Sequence, residues 1–466
     1  MPSRQDQLHS YQFMVQRVVA ALVMRETDPP QSPFRRAAGA TLASILIAVI
    51  GIGAVALYGA FVGGGASNWR DGDAVIVEKE TGARYIYRDE KLHPVLNYTS
   101  ALLIVGASAP KTVRVSAKSI EGVPRGVPLG IVDAPDALPP ANRLVSVPWT
   151  ICSLPPGTNN QSGGVRSALL VGSAPNGGRA LGDDGLLVRH PDGSLHLIWR
   201  NRRHLLRDRD LVLTALTWTS QRALPVAPAL LNALPAGADL ARIPIPNAAE
   251  PSLAVPDARV GEVFVVESAG GGRQYAVAQR DGLAGITQVQ ADLIITALGL
   301  QSKPTPMSQA QFNSIKKLPD LVPSDPAAPP ATTPRLADPG GGALCGEVRD
   351  DTGVAEIRVN AEVPKVADVP RTGARSADGK ALADYVLVPP GRGAVVESVA
   401  APGATGGTVS IVTDLGRRYA VSHPDVLATL GYGGSKPLRL PANVVSLIPS
   451  GPALDPDAAR GPLPQT

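Results

Sequence analysis

One uninterrupted apolar stretch dominates the N-terminal part of the chain. Residues 37–68 contain no charged side chain, and the centre from Ala40 to Val62 exceeds the roughly 20 apolar residues that a helix needs to cross a bilayer. Before it, residues 5–24 repeat apolar side chains at helical spacing, which predicts an amphipathic helix that ends before Pro29 and Pro30. The pattern therefore predicts a short arm, residues 1–36, followed by a membrane-spanning helix, residues 37–63.

The residues that flank this span predict its orientation. Arg35 and Arg36 lie directly before it, and lysine and arginine favour the cytoplasmic side of a membrane. We therefore expect a cytoplasmic arm and an exported region from residue 64 onwards. Trp69 follows the span, and we expect it at the membrane interface, where an indole keeps its ring in lipid and its N–H in water. A cleaved signal peptide is the alternative, although its apolar core is usually only roughly 7–15 residues long.

After the span the pattern changes to short β-strands. Four stretches share a strand, a turn with glycine, a second strand and an apolar segment, and they begin at Val75, Leu186, Val263 and Val409. One such hairpin buries little apolar surface alone, so we interpret the four as repeats that lean on a shared core. Chance is the alternative, because hairpins with glycine turns are common in β-rich chains.

Composition excludes some functions and predicts a linker. The chain has 48 glycines and 45 prolines, which implies many turns and few long helices after the span. The net charge of +4 is spread along the sequence, and no basic cluster is interleaved with aromatic residues, so we expect no nucleic-acid partner. Residues 303–342 are rich in proline and predict an extended or mobile linker.

Residues that could carry catalysis are scarce in the exported region. The best candidate for a phosphate-binding loop is residues 374–381, where Gly379 and Lys380 are present. Ala381, however, has no hydroxyl group for Mg²⁺, and Ala374 occupies the position of the first glycine. His190, His196 and His204 lie close together in the sequence but without the spacing of metal ligands. We therefore predict no catalytic residue, no cofactor and no metal, and we do not expect an enzyme.

The chain has two cysteines, Cys152 and Cys345, and both lie in the predicted exported region, where disulfides persist. A bridge between them would close a loop of about 190 residues and would stabilise the fold by roughly 5 kcal/mol in the chain-entropy account. Two unpaired thiols are the alternative.

Several segments resemble the EccB family of the type VII (ESX) secretion system of actinobacteria. The most specific are Leu92–Ile104, with the sequence LHPVLNYTSALLI, and Val123–Pro139, with the sequence VPRGVPLGIVDAPDALP. Shorter matches cover the family's cytoplasmic opening, its Trp-x-x-Cys motif, the partner cysteine and its closing motif: His9–Phe13 with Arg17, Trp149–Cys152, Cys345 and Leu447–Leu454. The resemblance thus extends over nearly the whole chain.

The resemblance implies an α+β fold: a short cytoplasmic amphipathic helix, a single transmembrane helix and an elongated β-rich ectodomain of four small repeats around a central core. It also implies a Cys152–Cys345 disulfide. With the sequence pattern it predicts these segments: arm 1–36, transmembrane helix 37–63, repeat one 70–139, core 140–185, repeat two 186–250, repeat three 259–302, linker 303–342, core 343–392, repeat four 393–450 and tail 451–466.

The resemblance also implies a function. We expect a structural subunit, anchored in the plasma membrane, of a type VII secretion complex. Its expected partners are the other membrane components, including a separate motor ATPase, and further copies of itself through the ectodomain. Some family members carry an ATPase label, which the imperfect loop at 374–381 does not support. A cell-wall-binding ectodomain and an extracytoplasmic ATPase or hydrolase are the alternatives.

Overall fold

A computed structural model of the protein describes residues 3–25, 33–62, 68–108, 110–156, 164–268, 270–322 and 325–461. The chain forms two compact units. The first consists of Met1–His93 with Lys111–Gly126, and the second consists of Pro94–Pro110 with Val127–Thr466.

The described residues form both helices and short strands. The helices are α1 (Arg4–Met24), α2 (Pro33–Val62), α3 (Tyr98–Val105), α4 (Arg209–Ala215), α5 (Pro228–Ala233), α6 (Gln288–Leu298), α7 (Gln309–Ser314), α8 (Val426–Thr429), α9 (Ala442–Val445) and α10 (Pro456–Arg460). Short 3₁₀ turns occupy Asn68–Asp71, Ala117–Ile120 and Ala141–Arg143. The strands are β1 (Ala74–Glu78), β2 (Arg84–Arg88), β3 (Lys91–Pro94), β4 (Lys111–Val115), β5 (Trp149–Ser153), β6 (Ser167–Leu170), β7 (Asn176–Ala180), β8 (Leu186–Arg189), β9 (Leu195–Trp199), β10 (Arg202–Leu205), β11 (Leu224–Pro225), β12 (Val263–Glu267), β13 (Arg273–Gln279), β14 (Gly282–Ile286), β15 (Thr305–Pro306), β16 (Ala343–Asp350), β17 (Gly353–Glu362), β18 (Tyr385–Leu387), β19 (Ala394–Val399), β20 (Thr408–Val412), β21 (Arg418–Ala420) and β22 (Leu438–Pro441).

The first unit begins with the two helices that the sequence predicts. Ser3 caps α1 in a reciprocal capping box with Asp6, which satisfies free N–H groups at the helix start. Within α2, Ala38–Leu57 has a mean hydropathy of 2.5 and is long and apolar enough to cross a membrane. A helix in the predicted arm and an apolar helix at the predicted span are therefore both present.

Four sheets share one strand order. In each, three antiparallel strands precede a helix, and a fourth strand then pairs parallel with the first: β3-β2-β1-β4, β10-β9-β8-β11, β14-β13-β12-β15 and β21-β20-β19-β22. Chance similarity of hairpins does not produce the same topology four times, so the four units are true repeats of one fold. The exact segment boundaries given above remain predictions.

A further six-stranded sheet forms the core of the second unit. Its order is β18-β6-β5-β16-β17-β7, so three strands come from residues before repeats two and three, and three come from residues after them. Its apolar side chains, such as Ile151 and Leu344, pack in one cluster with Val188 of repeat two and Val396 of repeat four. The core therefore joins these two repeats directly.

Repeat three packs on repeat two instead. Val212 and Leu216, from α4 and its C-terminal end, lie in one buried cluster with Val289 and Leu293 of α6. Helix–helix contact thus links neighbouring repeats where the core sheet does not reach.

The described part of the proline-rich segment 303–342 is packed against the repeats and includes a strand and a helix. Its first residues supply β15 and α7, which belong to the sheet and fold of repeat three. Further along, the Ala238 N–H donates to the Ala327 carbonyl at 2.7 Å, and the Gly185 N–H donates to the Arg335 carbonyl at 2.8 Å. The segment is therefore hydrogen-bonded along the repeats that it connects.

Candidate functional site

The membrane anchor is the exposed part of α2. The large apolar side chains from Leu42 to Leu57 are exposed, for example Ile47 and Val55 at 70% and 73%. A helix with such a surface requires lipid or a partner, because apolar area is costly to leave in water. Arg35 and Arg36 lie in the first turn of α2. Their side chains lie outside the described part, so their interface role stays a prediction.

The prediction for Trp69 is wrong. Its side chain is fully buried among Ile76 and Leu92, and its ring meets Tyr87 edge-on at 5.3 Å between centroids. Its Nε1 atom has no hydrogen-bond partner among the described residues and does not reach solvent. The 3₁₀ turn places the indole inside the first repeat, where its large apolar area stabilises the fold. The short distance in sequence between Trp69 and the span thus does not place its side chain at the membrane interface.

The predicted disulfide is present in the core sheet. Cys152 on β5 lies opposite Cys345 on β16 in an antiparallel pair, and both side chains are completely buried. The Sγ–Sγ bond is 2.10 Å long and links residues 193 positions apart. Because repeats two and three lie between them in sequence, the bond ties together the two chain segments that build the core.

A buried carboxylate lies two residues beyond Cys345 on the same strand. Glu347 is 2% exposed and accepts hydrogen bonds from Arg349 Nη2 and Arg358 Nε, both at 3.1 Å. A buried charge is tolerated only when it is paired and hydrogen-bonded, as it is here. The sequence alone does not reveal this ion pair, because Arg358 reaches Glu347 only through the antiparallel pairing of β17 with β16.

Each repeat is closed by a segment that follows its last helix. This segment forms a parallel bridge with the third strand: Leu92 with Arg125, Arg203 with Ala236, Leu283 with Lys317, and Arg418 with Ser450. The bridges cover the edge of each sheet, which would otherwise present unpaired N–H and C=O groups. The closing segment therefore completes each repeat by covering the edge of its sheet.

Three closing segments carry the same sequence pattern, a proline followed two positions later by glycine. A side chain on the third strand packs its ring against that glycine: His93 on Gly126, His204 on Gly237 and Tyr419 on Gly451. A Cβ atom at any of the three glycines would lie 2.2 Å from a ring atom, so only glycine fits. Two of these segments carry the family resemblance described above, and the shared proline–glycine spacing is the sequence signal that joins them.

The third repeat reverses this arrangement. There the strand carries the small residue, Ala284, and Leu318 of the closing segment packs against the same apolar cluster. The contact between strand and closing segment is thus retained while the large and small partners exchange places. A search for proline and glycine alone would not find this repeat.

The three histidines of repeat two have separate surroundings. His190 Nδ1 lies 2.9 Å from Asp192, and His204 Nδ1 lies 2.9 Å from the Ala238 carbonyl. Burial lowers the pKa of both His196 and His204. The described residues contain no group of three side chains that could hold a metal ion.

The candidate phosphate loop is a small hairpin. Arg375 and Ala381 form an antiparallel bridge, the Ser376 N–H donates to the Lys380 carbonyl, and the Gly379 N–H donates to the Ser376 carbonyl. A phosphate loop instead presents its backbone N–H groups to the ligand between a strand and a helix. Lys380 Nζ pairs with Asp378 at 3.0 Å. The hairpin thus lacks the backbone geometry of a nucleotide-binding loop.

These features define a class of protein: a membrane-anchored chain whose β-rich region repeats one small fold and is joined by a core disulfide. Residues 1–462 match the family described as type VII secretion system ESX-1, transport TM domain B. The chain therefore belongs to the EccB family.

Curated relatives agree with this assignment. The chain is 29% identical over 483 aligned positions to a protein of Mycolicibacterium smegmatis named ESX-3 secretion system ATPase EccB3, covering 96% of this chain and 88% of that protein. It is 27% identical to the ESX-1 secretion system ATPase EccB1 of Mycobacterium tuberculosis, covering 97% of this chain and 93% of that protein.

Solved structures share the fold. A chain of an intact ESX-5 inner membrane complex superposes with a TM-score of 0.65 at 25% identity, covering all of this chain and 96% of that one. A chain of the EccB3 dimer from the ESX-3 core complex superposes with a TM-score of 0.63 at 27% identity, covering 83% of this chain and all of that one.

Proposed function

We propose that this protein is a structural, membrane-anchored subunit of a type VII secretion complex. The observation that carries the proposal is the likeness, over the whole chain, to a component of an intact ESX inner membrane complex. The exposed apolar surface of α2 supplies the anchor that such a subunit needs. The second unit supplies an array of packed repeats for contacts with partners, including further copies of the chain, as in the dimer of the similar EccB3 protein.

The arm faces the cytoplasm, and the region after the span lies on the opposite side of the plasma membrane. Arg35 and Arg36 precede the span, and positive charge favours the cytoplasmic side. The Cys152–Cys345 disulfide supports this orientation, because structural disulfides persist in oxidising compartments. The subunit therefore connects cytoplasmic and extracytoplasmic parts of the complex.

The subunit acts without ATP hydrolysis, although curated relatives are named ATPases. The hairpin at 374–381 uses its own N–H groups internally, which removes the backbone cradle on which a phosphate loop depends. Purified full-length protein should give no ATP turnover above that of a mock preparation. Turnover that follows the protein through purification and is lost in Lys380→Ala would contradict this part of the proposal.

Secretion in the organism that carries the gene tests the main proposal. Deletion of the gene should abolish export of the substrates of its type VII system, and the wild-type gene should restore export. A variant with Ile47→Arg and Ile50→Arg should fail, because each arginine at the centre of a span costs about 2.5–3.5 kcal/mol on insertion scales. The matched control Leu415→Arg changes an exposed residue of repeat four, 78% exposed, and should restore export. Unchanged export in the deletion strain would contradict the proposal.

A further inference from the structure

A cavity of about 1070 Å³ lies between repeats two and four. Repeat two contributes Asn232 of α5, repeat four contributes β20 and Asn443 of α9, and the 374–381 hairpin forms a further wall with Arg375 and Lys380. Small-molecule sites usually occupy roughly 300–1,000 Å³. The cavity is therefore large enough for a ligand of substantial size.

Positive charge predominates in the wall of this cavity. Arg375, Lys380 and Arg418 line it, together with a single carboxylate, Asp192. That carboxylate is 62% exposed and already pairs with His190. Lys380 pairs with Asp378 of the same hairpin at 3.0 Å. With Asp378 counted as well, three cations face two carboxylates, so a net positive charge remains, and small anions are the ligands that this charge favours.

Arg418 is one of the cations in the cavity wall. It is half-buried, and burial lowers the pKa of its guanidinium, which nevertheless stays charged at neutral pH. Its Nε donates to the Ile448 carbonyl at 3.1 Å, and no carboxylate among the described residues forms an ion pair with it. The charge of Asp378, on the 374–381 hairpin, opposes the lowering of the pKa but makes no ion-pair contact with Arg418. A half-buried guanidinium without a directly paired carboxylate is costly, so an anionic ligand in contact with it would reduce this cost.

Uncharged donors surround the same place. Thr408, Ser410 and Val412 lie on one face of β20, because alternate residues of a strand share a face. Val412 packs into the core, whereas Thr408 and Ser410 line the cavity, so this face changes from apolar to polar at the cavity. Ser410 is fully buried, and its Oγ has no hydrogen-bond partner among the described residues. Because this Oγ is closed off from solvent, Thr408, which is exposed, supplies the hydroxyl group that a ligand in the cavity can reach.

The repeats themselves provide a comparison for Arg418. The residue that bridges to the closing segment is Leu92 in repeat one and Leu283 in repeat three, and both leucines are fully buried. In repeat two it is Arg203, whose Nη1 lies 3.5 Å from Asn232, itself part of the cavity wall. The repeat fold therefore does not require arginine at this position. The two arginines occur in the two repeats that form the cavity.

We propose that this cavity binds the phosphate group of a small phosphorylated molecule, with Arg418 as the principal contact and Lys380 and Asn443 as further donors. Three cations and several hydroxyl and amide donors exceed what a carboxylate with two oxygens can use, whereas a phosphate offers more acceptors. Recognition here is by side chains, unlike that of a phosphate loop, and it requires no hydrolysis.

Calorimetric titration of the full-length protein in detergent tests this site. The probes are inorganic phosphate, glucose 6-phosphate and ATP without Mg²⁺, with acetate as the carboxylate comparison, all at one ionic strength. The phosphate compounds should bind at least tenfold more tightly than acetate. Tighter binding of ATP than of glucose 6-phosphate would support a nucleotide as the source of the phosphate, and the reverse order would support a sugar phosphate.

Two arginines that are adjacent in sequence give a matched pair of variants. Arg418→Gln should weaken phosphate binding at least tenfold, while Arg417→Gln, which changes an exposed residue, should leave it unchanged. Arg418→Gln also removes the hydrogen bond to the Ile448 carbonyl and could therefore disturb the fold locally. Lys380→Gln changes an exposed side chain instead, and it should weaken phosphate binding severalfold. Equal binding of phosphate and acetate, undiminished binding in Arg418→Gln or Lys380→Gln, or an equal loss in Arg417→Gln would overturn the proposal.

Discussion

At the scale of single residues, a contact between a ring and a glycine joins the closing segment to the third strand in repeats one, two and four. Gly451→Ala would place a methyl group against the Tyr419 ring, where the ideal Cβ position is 2.2 Å from a ring atom. Overpacking of this kind costs roughly 1–3 kcal/mol, so we expect the free energy of unfolding to fall by about that amount. Denaturant unfolding measures the change. Gly434→Ala, which has open space around it, is the control and should change stability little.

A second residue-scale prediction concerns pH. Burial lowers the pKa of His204 below 6.5, its value in the unfolded chain, with Arg202 adding to the shift and Asp239 opposing it. Below pH 6.5 the unfolded chain therefore binds a proton that the folded protein excludes, and the free energy of unfolding falls as the pH is lowered. His204→Tyr, which copies the ring found in repeat four, should reduce this dependence between about pH 7.5 and pH 5.

The measurement is denaturant unfolding of both proteins across that range. His196 has a lowered pKa for the same reason, so part of the dependence should remain in the variant. Asp292 acts in the opposite direction, because burial raises its pKa to about 6 and its protonation stabilises the fold at lower pH. An identical pH dependence in wild type and His204→Tyr would contradict the prediction.

At the scale of elements, the disulfide joins β5 and β16 in the core sheet. Cys345→Ser should lower the free energy of unfolding by roughly 4 kcal/mol, since the unfolded chain regains the freedom of a very long loop. Denaturant unfolding with and without reductant measures this effect. Reductant should destabilise the wild-type protein and leave the variant unchanged; a variant that stays sensitive to reductant would contradict the assignment.

Sequence reasoning finds local elements well and misses contacts between distant ones. The four hairpins are predictable because each is written in one continuous stretch with glycine in its turn. The closing segments are not, since they pair in parallel with a strand that lies tens of residues away. Trp69 shows the same limit: its position in sequence favours the membrane surface, whereas its burial depends on a sheet formed by later residues.

The functional features also divide into one that the sequence predicts, the disulfide, and one that it does not, the cavity. Two cysteines allow only one intramolecular pair, so Cys152–Cys345 can be predicted without knowledge of the sheet. The cavity cannot be predicted in this way, because its walls come from repeat two, repeat four and the hairpin that connects the core strands β17 and β18. The hairpin draws attention in the sequence as an imperfect phosphate loop, but the residue that matters most to the cavity, Arg418, lies in another element.

At the scale of the whole molecule, the chain contains four repeats of one small fold, and the core sheet packs directly against two of them, repeats two and four. Such an array offers several similar surfaces at fixed separations within the second unit, which suits a subunit that contacts several partners at once. The anchor and the array have different physical requirements: α2 needs an apolar surround, whereas the repeats need buried cores. The protein therefore combines a helix suited to a membrane with an array of packed repeats.

The most direct test of this account is the mass and composition of what the full-length protein forms in its own membrane. Affinity purification in a mild detergent, followed by native mass measurement and protein identification, provides both values. The account predicts a megadalton assembly that contains several copies of this chain together with other type VII secretion components and a separate ATPase. A protein that is recovered as a monomer in every detergent, without those components, would contradict it.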